Sequence, residues 1–430
     1  MSGAGLRARD LAHIWHPCSQ MKDYDDGNLP LLPIKRGEGV YLEDYEGNRY
    51  VDAISSWWVN LFGHTHPHIV QAVQAQAATL EHVIFAGFTH EPAVRLAERI
   101  TALSPKGLNK VFFTDNGSSA VEVAIKMAFH AFANRGEERP LVVSLENSYH
   151  GETLGALAAG DVALYKKTYG PLLIKTLQAK SPALHPEAAA LEDMRRILKS
   201  RSQQICAVIV EPLVQCAGNM AMYDAGYLKA LRGLCNEFGV YLIADEIAVG
   251  FGRTGTLFAF EQAGVSPDLM TLSKGLTGGF LPLALTLATD AVYDAFYCDY
   301  LEGKSFLHSH SYTANPIACA AANATLDLLE DGTILEQNAQ KAALLGKGLE
   351  RLGRLERVTN LRQRGMIAAF DLAGFEPQER IGLRVYREAL KKGFLLRPLG
   401  NTVYFMPPYA IDAAQIGALI DATEEIVAGL

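Results

Sequence analysis

The middle of the chain alternates short apolar runs with stretches in which apolar residues recur at helical spacing. The runs have the length and continuity of buried strands and lie at 111–113, 141–145, 205–210, 241–244 and 269–272. Apolar side chains at 121, 125, 128 and 132 predict a helix over 120–132. Continuous apolar strands separated by helices predict a mainly parallel sheet that is covered on both faces.

The two ends of the chain follow a different pattern. Residues 38–52 predict a hairpin whose turn is the EGN at 46–48. The periodic segment at 412–430 predicts a helix that Asp412 caps, with Gln415 three residues later. We therefore predict an α/β fold with a large domain over 61–325 that contains a mainly parallel sheet. Residues 1–60 and 326–430 would together form a smaller α+β domain.

The composition argues against some classes of binding partner and indicates the cellular compartment. The 430 residues are 49% apolar and 20% charged, with a net charge of −8, which argues against a nucleic-acid or anionic-membrane partner. No apolar run reaches the roughly 18 residues that span a bilayer, and the first residues lack the apolar stretch of a secretory signal. The six cysteines have no paired spacing, so we expect reduced thiols in a cytoplasmic protein.

Polar residues follow the predicted strands at their carboxyl ends, where open α/β sheets bind ligands. They are Asn116 to Ser119, Tyr149, Glu211, Asp245 with Glu246, and Ser273 with Lys274. Free N–H groups at the start of the 120–132 helix suit a phosphate, while Asn116 or Ser118 could equally serve only as its cap. The convergence of these groups at one edge favours a ligand site more strongly than any one of them does.

Lys274 stands where a core strand opens into the glycine-rich sequence SKGLTGG. Taken alone, it is most simply a solvated charge at a strand end. A desolvated lysine, however, is a nucleophile that forms Schiff bases with carbonyls and with pyridoxal phosphate. Asp245, one strand away, suits the acid partner that the pyridine nitrogen of this cofactor needs, and Tyr149 could lie against its ring. The alternatives are a helix cap or ion pair for Asp245 and ordinary packing for Tyr149.

Three other motifs carry less weight. GFGRTG at 250–255 matches a dinucleotide-binding pattern literally, but the preceding strand has already ended and no acid lies near position 275. GHTHPH at 63–68 and HSHS at 308–311 contain several histidines without a further ligand cluster. We predict neither a dinucleotide nor a metal.

At this point the sequence resembles the class III, pyridoxal-phosphate-dependent aminotransferases of fold type I. The segment LIADEIAVGFGRTGTLFAFE is followed by LSKGLTGG, with Lys274 lying 29 residues after Asp245 (274 − 245). DNGSSAVEVAIKMA, YHGET at 149–153 and SYTANPIACAAANATL at 311–326 fit the same family, and the resemblance extends over about residues 11–425. HIWHP, SSWW, LLRPLG and VYFMPP narrow it to the members that aminate 8-amino-7-oxononanoate in biotin synthesis.

The resemblance implies roles for the residues at the strand ends. Lys274 would be the Schiff-base lysine and proton shuttle, Asp245 would pair with the pyridine nitrogen, and Tyr149 would stack on the ring. Gly117 and Ser118 would bind the cofactor phosphate. His310 and Ser311 would reach that phosphate from the partner subunit, which implies a homodimer with an active site at the subunit interface.

The resemblance also implies a substrate site. Trp57 and Ser309 would line it, Arg397 would hold the substrate carboxylate, and Arg253 and Tyr404 would contribute further contacts. Tyr149, Lys274 and Cys18 would also face the substrate. Without the resemblance, core packing explains Trp57 and Trp58 equally well.

The chain departs from the family pattern at three positions. Cys18 stands where members that use S-adenosylmethionine carry a tyrosine, His310 where proline is common, and Val249 where threonine is common. Trp57 favours S-adenosylmethionine as amino donor, because an aromatic face suits a sulfonium. SQMKDYDD and HSHSYT are more similar to the relatives that use lysine. A broader ω-aminotransferase and a non-catalytic cofactor-binding protein are the remaining alternatives.

Overall fold

The structure is a computed structural model that describes residues 3–430, so residues 1 and 2 of the predicted N-terminal segment lie outside it. Its helices are α1 Gly3–His13, α2 Met21–Asp25, α3 Ser55–Trp58, α4 Pro67–Ala77, α5 Glu91–Leu103, α6 Gly117–Ala133, α7 Leu154–Ala159, α8 Ala163–Lys166, α9 Glu187–Arg201, α10 Ala225–Phe238, α11 Asp290–Tyr293, α12 Pro316–Asp327, α13 Thr333–Leu352, α14 Ile381–Lys391 and α15 Ala413–Ala428. Its strands are β1 Ile34–Glu38, β2 Tyr41–Asp44, β3 Arg49–Asp52, β4 Leu108–Thr114, β5 Leu141–Leu145, β6 Thr176–Ala179, β7 Ile205–Val210, β8 Val214–Gln215, β9 Ala221–Met222, β10 Tyr241–Asp245, β11 Leu269–Leu272, β12 Ala284–Thr289, β13 Val358–Arg364, β14 Ile367–Leu372, β15 Phe394–Leu395 and β16 Thr402–Phe405.

The chain divides into two compact units, one of which is His68–Glu336. The other runs to Pro67 and resumes over Gln337–Leu430. The domain boundaries predicted at 60/61 and 325/326 lie 7 (67 − 60) and 11 (336 − 325) residues before these divisions. Within residues 3–430, no helix is both long enough and apolar enough to cross a membrane.

The unit His68–Glu336 is built on a large sheet with strand order β4-β12-β11-β10-β7-β5-β6. Strands β11, β10, β7, β5 and β6 are parallel, whereas β12 is antiparallel to both β11 and β4. The predicted mainly parallel sheet is therefore confirmed. The antiparallel strand β12 was missing from the prediction.

Helix α6 packs its apolar side against this sheet. Val121, Ala124 and Ile125 of the helix share a buried cluster with Ile209 of β7 and Ile243 of β10. The helix begins after Asn116, whose side chain accepts a hydrogen bond from Ser119 N, because the first N–H groups of a helix lack partners within it. This packing fixes the start of α6 beside the carboxyl ends of the central strands.

The other unit contains two smaller sheets with strand orders β1-β2-β3-β15 and β13-β14-β16. The predicted hairpin is confirmed, since β2 and β3 are antiparallel and Tyr41 lies opposite Val51. Helix α15 begins at the predicted cap, where Asp412 and Gln415 exchange side-chain-to-backbone hydrogen bonds of 2.7 and 2.9 Å.

Candidate active site

Asp245 lies at the carboxyl end of β10, directly opposite Thr271 of β11, and is buried. Its Oδ1 accepts hydrogen bonds from Thr271 Oγ1 and Ile247 N, both at 3.2 Å. Its Oδ2 lies 2.7 Å from Nδ1 of His150, whose side chain is also buried. Three donors from three segments therefore fix the orientation of this carboxylate.

Lys274 comes three residues after Thr271 and has a left-handed backbone, with φ of 45°. Desolvation lowers the pKa of its amine, an effect that the charges of Asp245 and Glu211 partly oppose. A lowered pKa leaves more of the amine neutral near pH 7, which is the form that attacks carbonyls. The parallel register of β10 and β11 thus places Asp245 and Lys274 at the same edge of the sheet.

Two buried glutamates, Glu211 and Glu246, follow the carboxyl ends of β7 and β10 at this edge of the sheet. Glu211 accepts hydrogen bonds from Tyr149 N at 2.9 Å and Cys216 N at 3.1 Å, and burial raises its pKa to about 7. Glu246 accepts from Ala259 N at 2.9 Å and Phe260 N at 2.7 Å, and burial raises its pKa to about 8. Both carboxyls fix backbone segments that border the site.

Tyr149 is therefore anchored through its backbone to Glu211. Its hydroxyl donates to Glu152 Oε1 at 3.1 Å, and its ring meets Tyr165 edge-on at 5.4 Å. These contacts fix the direction in which the ring points.

Residues 116–118, called the phosphate loop after the role that the sequence predicts for them, are closely surrounded by other segments. A Cβ on Gly117 would lie 3.0 Å from the Ile247 side chain, so a larger residue here would require that side chain to shift. Ser118 Oγ lies 2.7 Å from Thr153 Oγ1 and accepts from Thr153 N at 3.0 Å. Gly151, with φ of 122°, approaches the same hydroxyl so closely that a Cβ there would lie 2.4 Å from it. These contacts fix a hydroxyl and a helix N-terminus side by side.

The predicted residues of the 308–311 segment lie near this loop within the same chain. His310 Nδ1 is 3.6 Å from Oδ2 of Asp115, the residue that precedes the loop. Ser309 and Ser311 are exposed. Arg253 is instead almost fully buried and contributes its positive charge to the surroundings of Cys216.

In the unit that contains both chain ends, Trp57 and Arg397 form a pair. The Arg397 guanidinium carbon lies 5.0 Å from the centroid of the Trp57 ring, which is 40% exposed. Arg397 also lines a cavity of about 230 Å³ whose walls include Leu29, Leu32 and Leu395. A cation at the edge of an apolar cavity suits an aliphatic chain that ends in a carboxylate.

Trp57 belongs to a turn of unusual backbone geometry. All four residues of α3 have positive φ, with values of 53°, 45°, 71° and 73°. Ser55 Oγ donates to Met406 O at 2.7 Å, and Ser56 Oγ donates to Asp52 Oδ2 at 2.7 Å. These bonds hold the left-handed turn, which is costly for residues other than glycine.

Two further residues that the sequence predicts for the site, Tyr404 and Cys18, lie in this unit. Trp58 Nε1 donates at 3.1 Å to the hydroxyl of Tyr404, which is buried. Cys18 is exposed and has a φ of 48°. Its side chain is too short to supply the ring of a tyrosine.

Sequence reasoning missed His150 as a site residue, although it stands next to Tyr149 in YHGET. It also missed Cys216, whose neighbours include Glu211. The available signal for His150 was a titratable residue following a predicted strand, which is the same signal that identified Asp245.

Comparisons with known proteins identify the family of the chain. Residues 23–427 match the family described as aminotransferase class-III. A Helicobacter pylori protein named adenosylmethionine-8-amino-7-oxononanoate aminotransferase is 47% identical over 429 residues, covering 98% of this chain and 97% of that protein. A protein of the same name from Geobacter sulfurreducens is 43% identical, covering 98% of this chain and 97% of its own length.

Solved structures give the same result. The Methanocaldococcus jannaschii protein of that name aligns with a TM-score of 0.95 at 37% identity, covering 99% of this chain and 98% of its own. An (S)-enantioselective omega-transaminase from Thermomicrobium roseum aligns with a TM-score of 0.94 at 30% identity, covering 100% and 99% of the two chains. These neighbours confirm the predicted fold type I transferase architecture. The chain belongs to the class III aminotransferase family.

Proposed function

We propose that this chain is a pyridoxal-phosphate-dependent aminotransferase that converts 8-amino-7-oxononanoate to 7,8-diaminononanoate in biotin synthesis, with S-adenosylmethionine as amino donor. The observation that carries the proposal is the placement of Lys274, with its lowered pKa, at the same sheet edge as Asp245. The names of the full-length relatives support the choice of substrate and donor.

The residues at this edge fit the cofactor. Asp245 supplies a rigidly held carboxylate for a pyridinium nitrogen, and the phosphate loop supplies the Ser118 hydroxyl and the N-terminus of α6. When bound, pyridoxal phosphate supplies a conjugated ring that stabilises negative charge on the reacting carbon. Tyr149 would limit where that ring can lie.

Lys274 would perform the proton transfers. A neutral amine can take a proton from the donor carbon and later return it to the carbon that accepts the amino group. The desolvation that lowers the pKa of Lys274 keeps it available for this task near neutral pH. Glu211 would hold Tyr149 in place through its backbone N–H.

Arg397 would hold the substrate carboxylate. Its guanidinium can donate two parallel hydrogen bonds to a carboxylate, and the leucine walls of the adjoining cavity suit the methylene chain of 8-amino-7-oxononanoate. The exposed face of Trp57 would meet the sulfonium of S-adenosylmethionine. Lysine as donor is the second candidate, because Cys18 removes the aromatic group that members using S-adenosylmethionine carry at this position.

The proposal includes a homodimer in the cytoplasm. Large apolar side chains are strongly exposed next to the 308–311 segment, among them Tyr300 at 91%, Leu301 at 95% and Leu307 at 90%. Such a patch favours a protein interface, and His310 and Ser311 would reach the partner's site from it. None of the six cysteines in residues 3–430 forms a disulfide, which suits a reducing compartment.

One assay tests the function. The purified protein is loaded with pyridoxal phosphate, and diaminononanoate formation from 8-amino-7-oxononanoate is measured with S-adenosylmethionine and lysine supplied separately. We expect turnover with S-adenosylmethionine and none in Lys274→Ala, whose visible cofactor spectrum should change. Turnover with lysine alone would overturn the choice of donor, and full activity in Lys274→Ala would overturn the mechanism.

A further inference from the structure

Four charged or titratable side chains form a continuous row in the unit His68–Glu336. Lys126 Nζ lies 2.8 Å from His308 Nδ1, and His308 Nε2 lies 3.2 Å from His310 Nε2. His310 Nδ1 lies 3.6 Å from Asp115 Oδ2, close enough for a charge contact but too far for a hydrogen bond. The row runs from α6, through the 308–311 segment, to the residue before the phosphate loop.

The chemistry of the four groups fixes the direction of every contact. A lysine ammonium can only donate, so His308 Nδ1 must accept and the proton of neutral His308 must be on Nε2. That proton points at His310 Nε2, which must therefore accept as well. The proton of neutral His310 is then on Nδ1, where it faces the Asp115 carboxylate. Each contact in the row therefore pairs a donor with an acceptor when both imidazoles are neutral.

A proton added to either histidine breaks the row. On His308 it would place an N–H against the Lys126 ammonium, and on His310 it would place two N–H groups against each other. Burial, Lys126 and His310 all lower the pKa of His308, while Glu122 opposes them. The apolar rings of Phe112 and Phe306 also pack against His308.

His130 is the further titratable neighbour, since its ring lies 6.2 Å from that of Phe306. Because the pKa of folded His308 is lowered below its usual 6.5, the stabilisation from the row is complete above that pH. It is lost as the pH falls from 6.5 through the lowered pKa of folded His308, where protonation breaks the row.

We propose that Lys126, His308 and His310 form a hydrogen-bonded relay, extended by a charge contact with Asp115, that positions the 308–311 segment to bind phosphate in the partner's site while both histidines are neutral. His308 and Lys126 are thus positioning residues that act through His310. The part concerning phosphate rests on the proposed function, whereas the relay itself does not. Thr313 supports the segment independently, since its hydroxyl accepts from His310 N at 3.0 Å and donates to His310 O at 2.7 Å.

The tautomers of the two histidines test the relay without any cofactor. In protein labelled with ¹⁵N-histidine, at about pH 8, long-range ¹H–¹⁵N spectra should show His308 protonated on Nε2 and His310 protonated on Nδ1. His308→Phe and His310→Phe assign the signals. Lys126→Met should release the tautomer preference of His308. The opposite tautomers in the parent protein would overturn the relay.

The affinity for pyridoxal phosphate tests whether the relay positions the 308–311 segment. The dissociation constant of pyridoxal phosphate is measured for the parent and for His308→Phe, which keeps the ring packing, from about pH 8 down to below the pH at which the ¹⁵N spectra show His308 protonated. At pH 8 we expect binding in the variant to be weaker by about fivefold, the factor for one ordinary hydrogen bond. Below the pKa at which folded His308 titrates, the two proteins should bind alike, because the protonated parent has lost its relay. A ratio that is constant with pH would overturn the positioning role.

Failure of the proposed function and failure of the relay would give different results. A parent protein that binds no pyridoxal phosphate at any pH contradicts the proposed function, and the tautomers then still decide whether the relay exists. A parent that binds the cofactor but shows the wrong tautomers contradicts the relay alone.

Discussion

His150 and Asp245 are hydrogen bonded through His150 Nδ1 and Asp245 Oδ2 at 2.7 Å, with side chains that are 0% and 4% exposed. They lie 95 residues apart in the chain, so the fold alone brings them together. The other ring nitrogen of His150 is buried and has no hydrogen-bond partner in the described part of the chain, residues 3–430. His150 thus contributes to the site chiefly by fixing the Asp245 carboxylate.

Replacement of His150 by Phe should weaken cofactor binding, because it leaves a buried carboxylate oxygen without its donor. A hydrogen bond to a charged group is worth about 1.5–3 kcal/mol, so the dissociation constant of pyridoxal phosphate should rise by about 10- to 100-fold. Equilibrium titration of the apoprotein measures it. Thr271→Val, which removes a neutral donor at 3.2 Å from the same carboxylate, is the matched control and should have a smaller effect. Equal affinities in parent and His150→Phe would contradict this role.

Glu246 should make the protein less stable as the pH rises. Burial raises its pKa from 4.5 to about 8, so the folded chain retains a proton that the unfolded chain has lost. The stabilisation is fully present below pH 4.5 and is lost as the pH rises through about 8. Over that interval the free energy of unfolding should fall by up to about 1.4 kcal/mol per pH unit through this group.

Glu246→Gln removes the titration and should flatten that slope, as measured by urea unfolding at several pH values. The exposed Glu192→Gln controls for general loss of charge. The two backbone donors on Glu246, Ala259 N and Phe260 N, favour the ionised form. Parallel pH profiles for parent and Glu246→Gln would mean that these donors outweigh burial.

The sequence predicted well whatever depends on local pattern. Strand β11 was predictable because buried parallel strands are continuously apolar. Lys274, which follows this strand, was predictable as a site residue because open α/β sheets bind ligands at the carboxyl ends of their strands. The partnership of His150 with Asp245 was not, since sequence periodicity says nothing about pairing between distant segments. The left-handed turn over Ser55–Trp58 was equally hidden, because serine and tryptophan have no local preference for positive φ.

The strain in that turn gives a stability prediction at Ser56, whose φ is 45° and ψ is 55°. Ser56→Ala loses the hydrogen bond to Asp52 and retains the strained backbone, whereas Ser56→Gly loses the same bond and relieves the strain. Glycine should therefore be the more stable of the two by about 1 kcal/mol, the reverse of its usual rank against alanine. Chemical denaturation of both variants measures the difference. A more stable alanine variant would show that the turn is not strained.

Arg397 should determine affinity for the keto substrate and leave the amino donor unaffected. If it binds the carboxylate bidentately, Arg397→Ala should lower kcat/KM for 8-amino-7-oxononanoate by about 10- to 100-fold, chiefly through KM. Single-turnover reaction with S-adenosylmethionine alone should keep its rate, because Arg397 is assigned to the carboxylate of the keto substrate and Trp57 to the sulfonium of the donor. Arg397→Lys should recover only part of the loss, since an ammonium cannot donate in a fork. Trp57→Leu is the matched control, because it removes the ring 5.0 Å from the guanidinium and keeps the charge. The Trp57→Leu change should slow the reaction with S-adenosylmethionine more than it raises KM for 8-amino-7-oxononanoate, because the aromatic face is assigned to the sulfonium.

An Arg397→Ala protein with unchanged KM for 8-amino-7-oxononanoate would place the carboxylate elsewhere and favour the broader ω-aminotransferase.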